Sequence, residues 1–222
     1  MTRARVTLFT GHYGSGKTNI AVNYALAMRA AGEKVKIADL DIVNPYFRTR
    51  DSAEELEAAG VELISSAYAN TNVDFPAMNS AVYGLVQRRD APAVFDVGGD
   101  DRGALALGRF VPYILEENDY EMLFVVNFRR PLTPDAESAL EIMREIESAC
   151  KIPFTAVVNN TNLGRETTVE TLLDSLPLAQ ELCRLASLPL KMTCAEQSVA
   201  EKLRGKAENI FPLKLQRRAA GL

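Results

Sequence analysis

Gly11-His12-Tyr13-Gly14-Ser15-Gly16-Lys17-Thr18 follows directly on the apolar run Val6-Thr7-Leu8-Phe9. The spacing is G-x-x-x-x-G-K-[ST], and few backbones satisfy it. A strand must deliver the chain to a tight glycine turn, and a helix must begin at the lysine. Glycines let consecutive N–H groups curl inward around an anion. Lys17 then reaches the β- and γ-phosphates of a nucleotide, and the Thr18 hydroxyl is a Mg²⁺ ligand. The helix start adds unpaired N–H groups and a dipole of the right sign. The chemistry implied is phosphate binding by Gly11, His12, Tyr13, Gly14, Ser15, Gly16, Lys17 and Thr18, with Asn19 beside them.

The rest of the chain must supply a scaffold for such a loop, and its pattern does. Short apolar runs alternate with helical segments. Strands are expected at Arg5–Thr10, Lys34–Asp39, Val61–Ile64, Ala93–Val97, Met122–Asn127, Phe154–Val158 and Leu188–Thr193. Helices are expected at Thr18–Ala31 (ended by Gly32), Ser52–Ala59 (ended by Gly60), Asp74–Arg89, Thr133–Cys150, Glu166–Leu185 and Ala195–Arg204. Thr133 is the expected cap of its helix, with Pro134 at the first helical position. Strands that are apolar throughout, separated by helices, predict a three-layer α/β fold. Its mostly parallel, twisted sheet carries helices on both faces. No linker or repeat divides residues 1–222, which reads as a single nucleotide-binding domain. In such sheets ligands bind beyond the carboxyl ends of the strands. Gly11–Thr18, Asp39/Asp41, Asp96–Asp101 and Asn159 all fall there.

Composition closes off several alternatives. Among 222 residues the net charge is −4, so direct nucleic-acid binding is disfavoured. Three widely spaced cysteines, Cys150, Cys183 and Cys194, form neither a disulfide framework nor a C-x₂-C metal site. No run approaches the roughly 20 apolar residues of a membrane-spanning helix, and the N-terminus lacks a signal-peptide pattern. The expectation is a cytoplasmic protein without a transmembrane segment.

Carboxylates after two strands narrow the chemistry. Asp39-Leu40-Asp41 closes the second strand. If its geometry persists, both side chains share a face and are able to orient hydrated Mg²⁺ and polarise an attacking water. Asp96-Val97-Gly98-Gly99 fits D-x-x-G, with Asp96 on the metal's water shell and the Gly99 amide toward the γ-phosphate. Solvated acids and a plain turn are the bland alternatives for these two segments.

With these residues the chain resembles the MinD/ParA class of P-loop ATPases, the SIMIBI class or CobQ/CobB/MinD/ParA nucleotide-binding domains, over nearly its whole length. The resemblance implies ATP/ADP and Mg²⁺ as cofactors, slow ATP hydrolysis, a nucleotide-controlled switch for a protein partner, and a nucleotide-dependent homodimer. It assigns Lys17, Asp39 and Asp41 to catalysis, Asp41 placing the water. Thr18, Asp39 and Asp96 go to the metal, and Asn159 to the adenine base. Asn159-Asn160-Thr161-Asn162 also reads as a simple turn. One departure stands out. Many members carry a lysine at the second loop position, and here that position is His12. Histidine is shorter and not a permanent cation. Three readings follow: His12 is charged by the phosphates, another group such as Arg48, Arg50 or Arg102 supplies the charge, or hydrolysis is slow. Asp41–Asp51 and Gly98–Phe110 are the expected nucleotide-responsive segments. Tyr68–Phe75 is a partner loop or a structural loop. Phe211–Leu222 reads as a C-terminal tail rather than a membrane-surface helix. A carboxylate-activating enzyme of the dethiobiotin-synthetase-like branch and a non-hydrolysing regulator are the competing functions.

Overall fold

The computed structural model describes residues 3–40, 52–64, 76–99 and 101–215. Asp41, Arg48 and Arg50, the loop Tyr68–Phe75 and the end of the tail lie outside the described residues.

The apolar runs form strands β1 (Val6–Thr10), β2 (Lys36–Leu40), β3 (Glu62–Ile64), β4 (Ala93–Val97), β5 (Tyr120–Val126), β6 (Ala156–Asn159), β7 (Leu190–Glu196) and β8 (Ile210–Leu213). They pair in the order β3-β2-β4-β1-β5-β6-β7-β8, every pairing parallel. The expected α/β architecture is therefore the observed one. Because the chain leaves β1 toward β2 and later returns to flank β1 with β4 and β5, the direction of winding reverses around β1. That reversal opens a crevice at the carboxyl ends of these strands.

Between the strands lie helices α1 (Lys17–Ala30), α2 (Ala53–Ala59), α3 (Pro76–Arg88), α4 (Asp101–Gly108), α5 (Val111–Glu117), α6 (Ala136–Cys150), α7 (Val169–Ala186) and α8 (Gln197–Leu203). Side-chain alternation along each strand builds two cores. Phe9, Ile37, Val94, Leu123 and Val125 face α1 and α2, packing on Ile20, Tyr24, Met28 and Leu56. Leu8, Leu40, Phe95, Phe124 and Val126 face the opposite layer, meeting Val82, Leu107, Ile114, Met143 and Leu182 from α3 to α7. Leu203 and Val199 of α8 pack separately on Leu172 and Ala195.

Several expectations need correction. Strand β8 lies where a tail was expected. It is an edge strand, the place where Pro212 costs no ladder hydrogen bond. Gly98–Phe110 contains α4, and α5 follows it; glycines at both ends of α4 masked its periodicity in the sequence. Helix α6 is capped by Asp135, whose carboxylate accepts the Ser138 amide at 2.8 Å, and not by Thr133. The Thr133 hydroxyl instead donates to the Asn127 carbonyl at 2.8 Å and is buried. Among the described residues no helix is long and apolar enough to cross a membrane.

Candidate functional site

The loop between β1 and α1 takes the shape its glycines permit. At Gly16 φ is 88°, a left-handed conformation that L side chains resist, and a Cβ there would lie 2.3 Å from the Asn160 amide nitrogen. A turn closes on the Ser15 amide, which donates to the His12 carbonyl at 3.0 Å. Helix α1 then begins at Lys17, and no side chain caps its first amides. Such an open N-terminus is a site of positive potential with spare donors. Lys17 and Thr18 are buried at its mouth, with 3% and 4% exposure. His12 is half-buried, its Nδ1 2.9 Å from the Tyr13 carbonyl, while Tyr13 is exposed.

Opposite the loop stand the acids. In the β2–β4 ladder Asp39 pairs with Asp96, so the two carboxylates sit side by side at neighbouring strand ends. Alternation places both on the face of Ile37 and Val94, the face covered by α1. Both are buried. Two such carboxylates in a weakly polar setting favour a cation between them and the ligand. Among the described residues no group of three or more His, Cys, Asp or Glu side chains forms a ready metal cage. The set Thr18, Asp39 and Asp96 instead suits Mg²⁺, which takes few protein oxygens and keeps waters and phosphate oxygens as its other ligands. Two further atoms point the same way: the hydroxyls of Thr10 and Ser15 are buried without a hydrogen-bond partner, at the base of the loop and within it. The residues present fit a phosphate and its metal.

The segment after β4 touches the loop directly. A Cβ on Gly99 would come within 1.8 Å of the Gly11 carbonyl oxygen and 3.3 Å of the His12 Cα. Only glycine permits this approach, and it lays the D-x-x-G segment against the phosphate loop.

Asn159 departs from its expected role. It is fully buried, with its amide nitrogen donating to the Ser175 hydroxyl at 2.8 Å and its carbonyl accepting from Thr161 through both amide (3.1 Å) and hydroxyl (2.7 Å). Its side chain ties the end of β6 to α7. The next residue is the one that meets the loop: Asn160 Nδ2 donates to the Ser15 carbonyl at 2.7 Å. A second contact comes from the β5–α6 connection, where Arg130 Nε donates to the Gly14 carbonyl at 2.9 Å. Asn127 holds that connection in place. Its carbonyl accepts from the Arg130 amide at 3.1 Å, and its side chain binds the Arg129 amide at 3.0 Å and the Asn162 carbonyl at 3.2 Å. The asparagine doublet was visible in the sequence, although its register was not. Nothing in the sequence signalled Arg130.

Burial pushes the Cys150 and Cys183 thiols up to about 11, and Cys194 is raised further by complete burial.

No family model matches the sequence, and no curated protein matches it. Solved structures do. FtsY from Mycoplasma mycoides is 16% identical with a TM-score of 0.57, over 86% of this chain and 61% of that one. The signal recognition particle receptor FtsY from Elizabethkingia anophelis, in complex with GDP, is 17% identical with a TM-score of 0.53, over 87% and 57%. Signal Recognition Particle 54 kDa protein from Aeropyrum pernix K1, also with GDP, is 16% identical with a TM-score of 0.54, over 87% and 41%. This chain thus spans about three-fifths or less of the length of these proteins. At such identities the likeness establishes the fold alone, a parallel α/β sheet layered with helices.

Proposed function

We propose that this chain is a Mg²⁺-dependent nucleoside-triphosphate-binding protein of the MinD/ParA type, a slow ATPase acting as a switch for a protein partner. The observation that carries this reading is an uncapped helix start behind a left-handed glycine turn, facing two in-register buried carboxylates. Lys17 and the loop amides hold the phosphates. Thr18, Asp39 and Asp96 hold the metal, which on binding neutralises phosphate charge. The Gly99 amide lies against the loop where a γ-phosphate can be sensed, so presence or loss of that phosphate is passed to α4. Asp41 is assigned to the hydrolytic water by the resemblance alone. Asn160 takes the base-contacting role in place of Asn159, since among the described residues its side chain makes one hydrogen bond, from Nδ2 to the Ser15 carbonyl.

Adenine follows from the MinD/ParA resemblance. Guanine is the competing base, because two of the similar structures hold GDP. Titration with fluorescent ATP, competed by unlabelled ATP or GTP with and without Mg²⁺, tests both levels of the proposal. Lys17→Ala is expected to abolish binding. Affinity unchanged by that variant would remove the phosphate site, whereas stronger competition by GTP would correct only the base.

A further inference from the structure

We propose that Arg130 is a phosphate-contacting residue of this site, a cation supplied from within the chain against loop residue Gly14. The inference rests on the nucleotide reading above and deepens it.

The loop is gripped from outside at two consecutive carbonyls. Asn160, beyond β6, holds Ser15 O, and Arg130, beyond β5, holds Gly14 O. When a carbonyl is held outward, the peptide that carries it is fixed, and the neighbouring N–H groups are fixed with it toward the anion. A neutral amide is enough for that purpose, as Asn160 shows. Arg130 brings more than a clamp. Its Nε alone is spent on Gly14, and among the described residues its two Nη groups make no hydrogen bond or ion pair. The neighbouring arginine differs: Arg129 Nη2 lies 3.8 Å from the Asp174 carboxylate. A guanidinium tethered through Nε presents its outer edge as a fork, the geometry that matches two phosphate oxygens.

Position and rigidity favour a ligand role. The guanidinium carbon lies 3.6 Å from where a Cβ on Gly14 would be, so the group lies against the loop itself. Its backbone is held at both ends, since the Arg130 amide donates to the Asn127 carbonyl and the Arg130 carbonyl accepts the Thr133 amide, each at 3.1 Å. The Phe128 amide donates to the Thr161 hydroxyl at 3.2 Å, joining the connection to the segment that carries Asn160. The backbone that carries this long, exposed cation is thereby fixed beside the loop, and its side chain is tethered there through Nε.

The test compares Arg130→Ala, Arg130→Gln and Arg130→Lys with wild type by calorimetric titration with Mg·ATP, Mg·ADP and adenosine, at low and high salt. Glutamine keeps a donor for Gly14 O and removes the charge. Expected are losses of about 10- to 100-fold in Mg·ATP affinity for both Ala and Gln, partial recovery with Lys, and a shallower salt dependence in the neutral variants. The ligand-free melting temperature is expected to stay within a few degrees of wild type. Wild-type affinity in Arg130→Gln would reduce the residue to a clamp and overturn the proposal. So would equal losses for adenosine and Mg·ATP. Failure of the wild-type protein itself to bind any nucleotide would bring down the underlying function, an outcome that the Lys17→Ala comparison keeps separate.

Discussion

The two edges of the sheet set their charges in different surroundings. Where the strands begin, charges are paired within the protein. Arg5, just before β1, forms a two-pronged pair with Glu117 at the end of α5 and donates to the carbonyls of Leu85 (3.0 Å) and Ala91 (3.2 Å). Lys36 opens β2 between Asp90 at 3.2 Å and Glu62 at 3.6 Å, and Lys191 of β7 pairs with Glu121 of β5. Where the strands end, buried charges gather close to the glycine loop: Asp39 beside Asp96, Lys17 at a helix start with no side-chain cap, and Gly99 against Gly11. On the function proposed above, the first edge serves stability and the second a ligand. Substitutions should therefore separate the two properties.

The largest separation is expected at Lys17. Lys17→Ala should cost at least about 100-fold in nucleotide affinity, since charge-assisted bonds to phosphate contribute about 1.5–3 kcal/mol each. Calorimetry shows the affinity and a thermal melt without ligand shows the stability. The comparison fails if stability falls and affinity does not. Gly99→Ala comes next. The added methyl cannot remain 1.8 Å from the Gly11 carbonyl, so the loop must move. Affinity should drop about tenfold or more, as misplaced donors lose most of a charge-assisted bond, and the melting temperature should drop with it.

At the opposite edge the expected order reverses. Arg5→Ala leaves the largely buried Glu117 with Arg89, 3.6 Å away, in place of its two-pronged partner, and frees two carbonyls. Breaking a buried pair in this way costs about 3 kcal/mol, or very roughly 10 °C in a chain of this size. Nucleotide affinity should stay at the wild-type value. An Arg5 variant that melts normally but binds poorly would invert the assignment of the two edges.

The edge where the strands end was the more legible of the two in the sequence. Phosphate loops need glycine, lysine and a hydroxyl in a fixed order, and strands buried on both faces are apolar throughout, so Gly11–Thr18, Asp39, Asp96 and Gly99 could be placed from local pattern. What escaped depended on tertiary neighbours. Asn159 and Asn160 differ by one step along a strand, and a one-residue step reverses the face; Ser175 of α7 decides which of them turns inward. Arg130 meets Gly14 only because β5 lies beside β1, across a separation of 116 residues. The same holds for Arg5 and Glu117, separated by 112 residues, which no local pattern could join.

Helix starts at the ligand edge allow a finer comparison. Helix α7 is closed by a capping box in which the Thr168 hydroxyl accepts the Thr171 amide at 3.2 Å, and α6 is closed by Asp135. Helix α1 has no side-chain cap. Thr168→Ala should cost about 1 kcal/mol of stability and leave nucleotide affinity unchanged, as expected of an end already satisfied by its own chain. A loss of affinity in this variant would mean that α7 takes part in the site.

Asp135 gives the smallest effect and a pH signature. The Ser138 amide, joined by its hydroxyl, holds the Asp135 carboxyl below its ordinary value of 3.8, and burial opposes this only weakly. A folded value below the unfolded one means that the carboxylate adds stability above pH 3.8. This contribution fades as the pH falls through the lowered folded value. Asparagine caps nearly as well as aspartate and does not titrate. Melts of wild type and Asp135→Asn should therefore run close together under strongly acidic conditions and diverge as the pH rises toward neutrality, with wild type the more stable because its charge also favours the helix start. At α6 that charge is covalently attached; at α1 the corresponding place is open, and added Mg·nucleotide should raise the melting temperature with a dependence on ligand concentration that no cap can reproduce. If the Asp135 variant and wild type stayed parallel from acid to neutral pH, the carboxylate would be acting as a neutral acceptor, and the electrostatic half of the comparison between α6 and α1 would be lost.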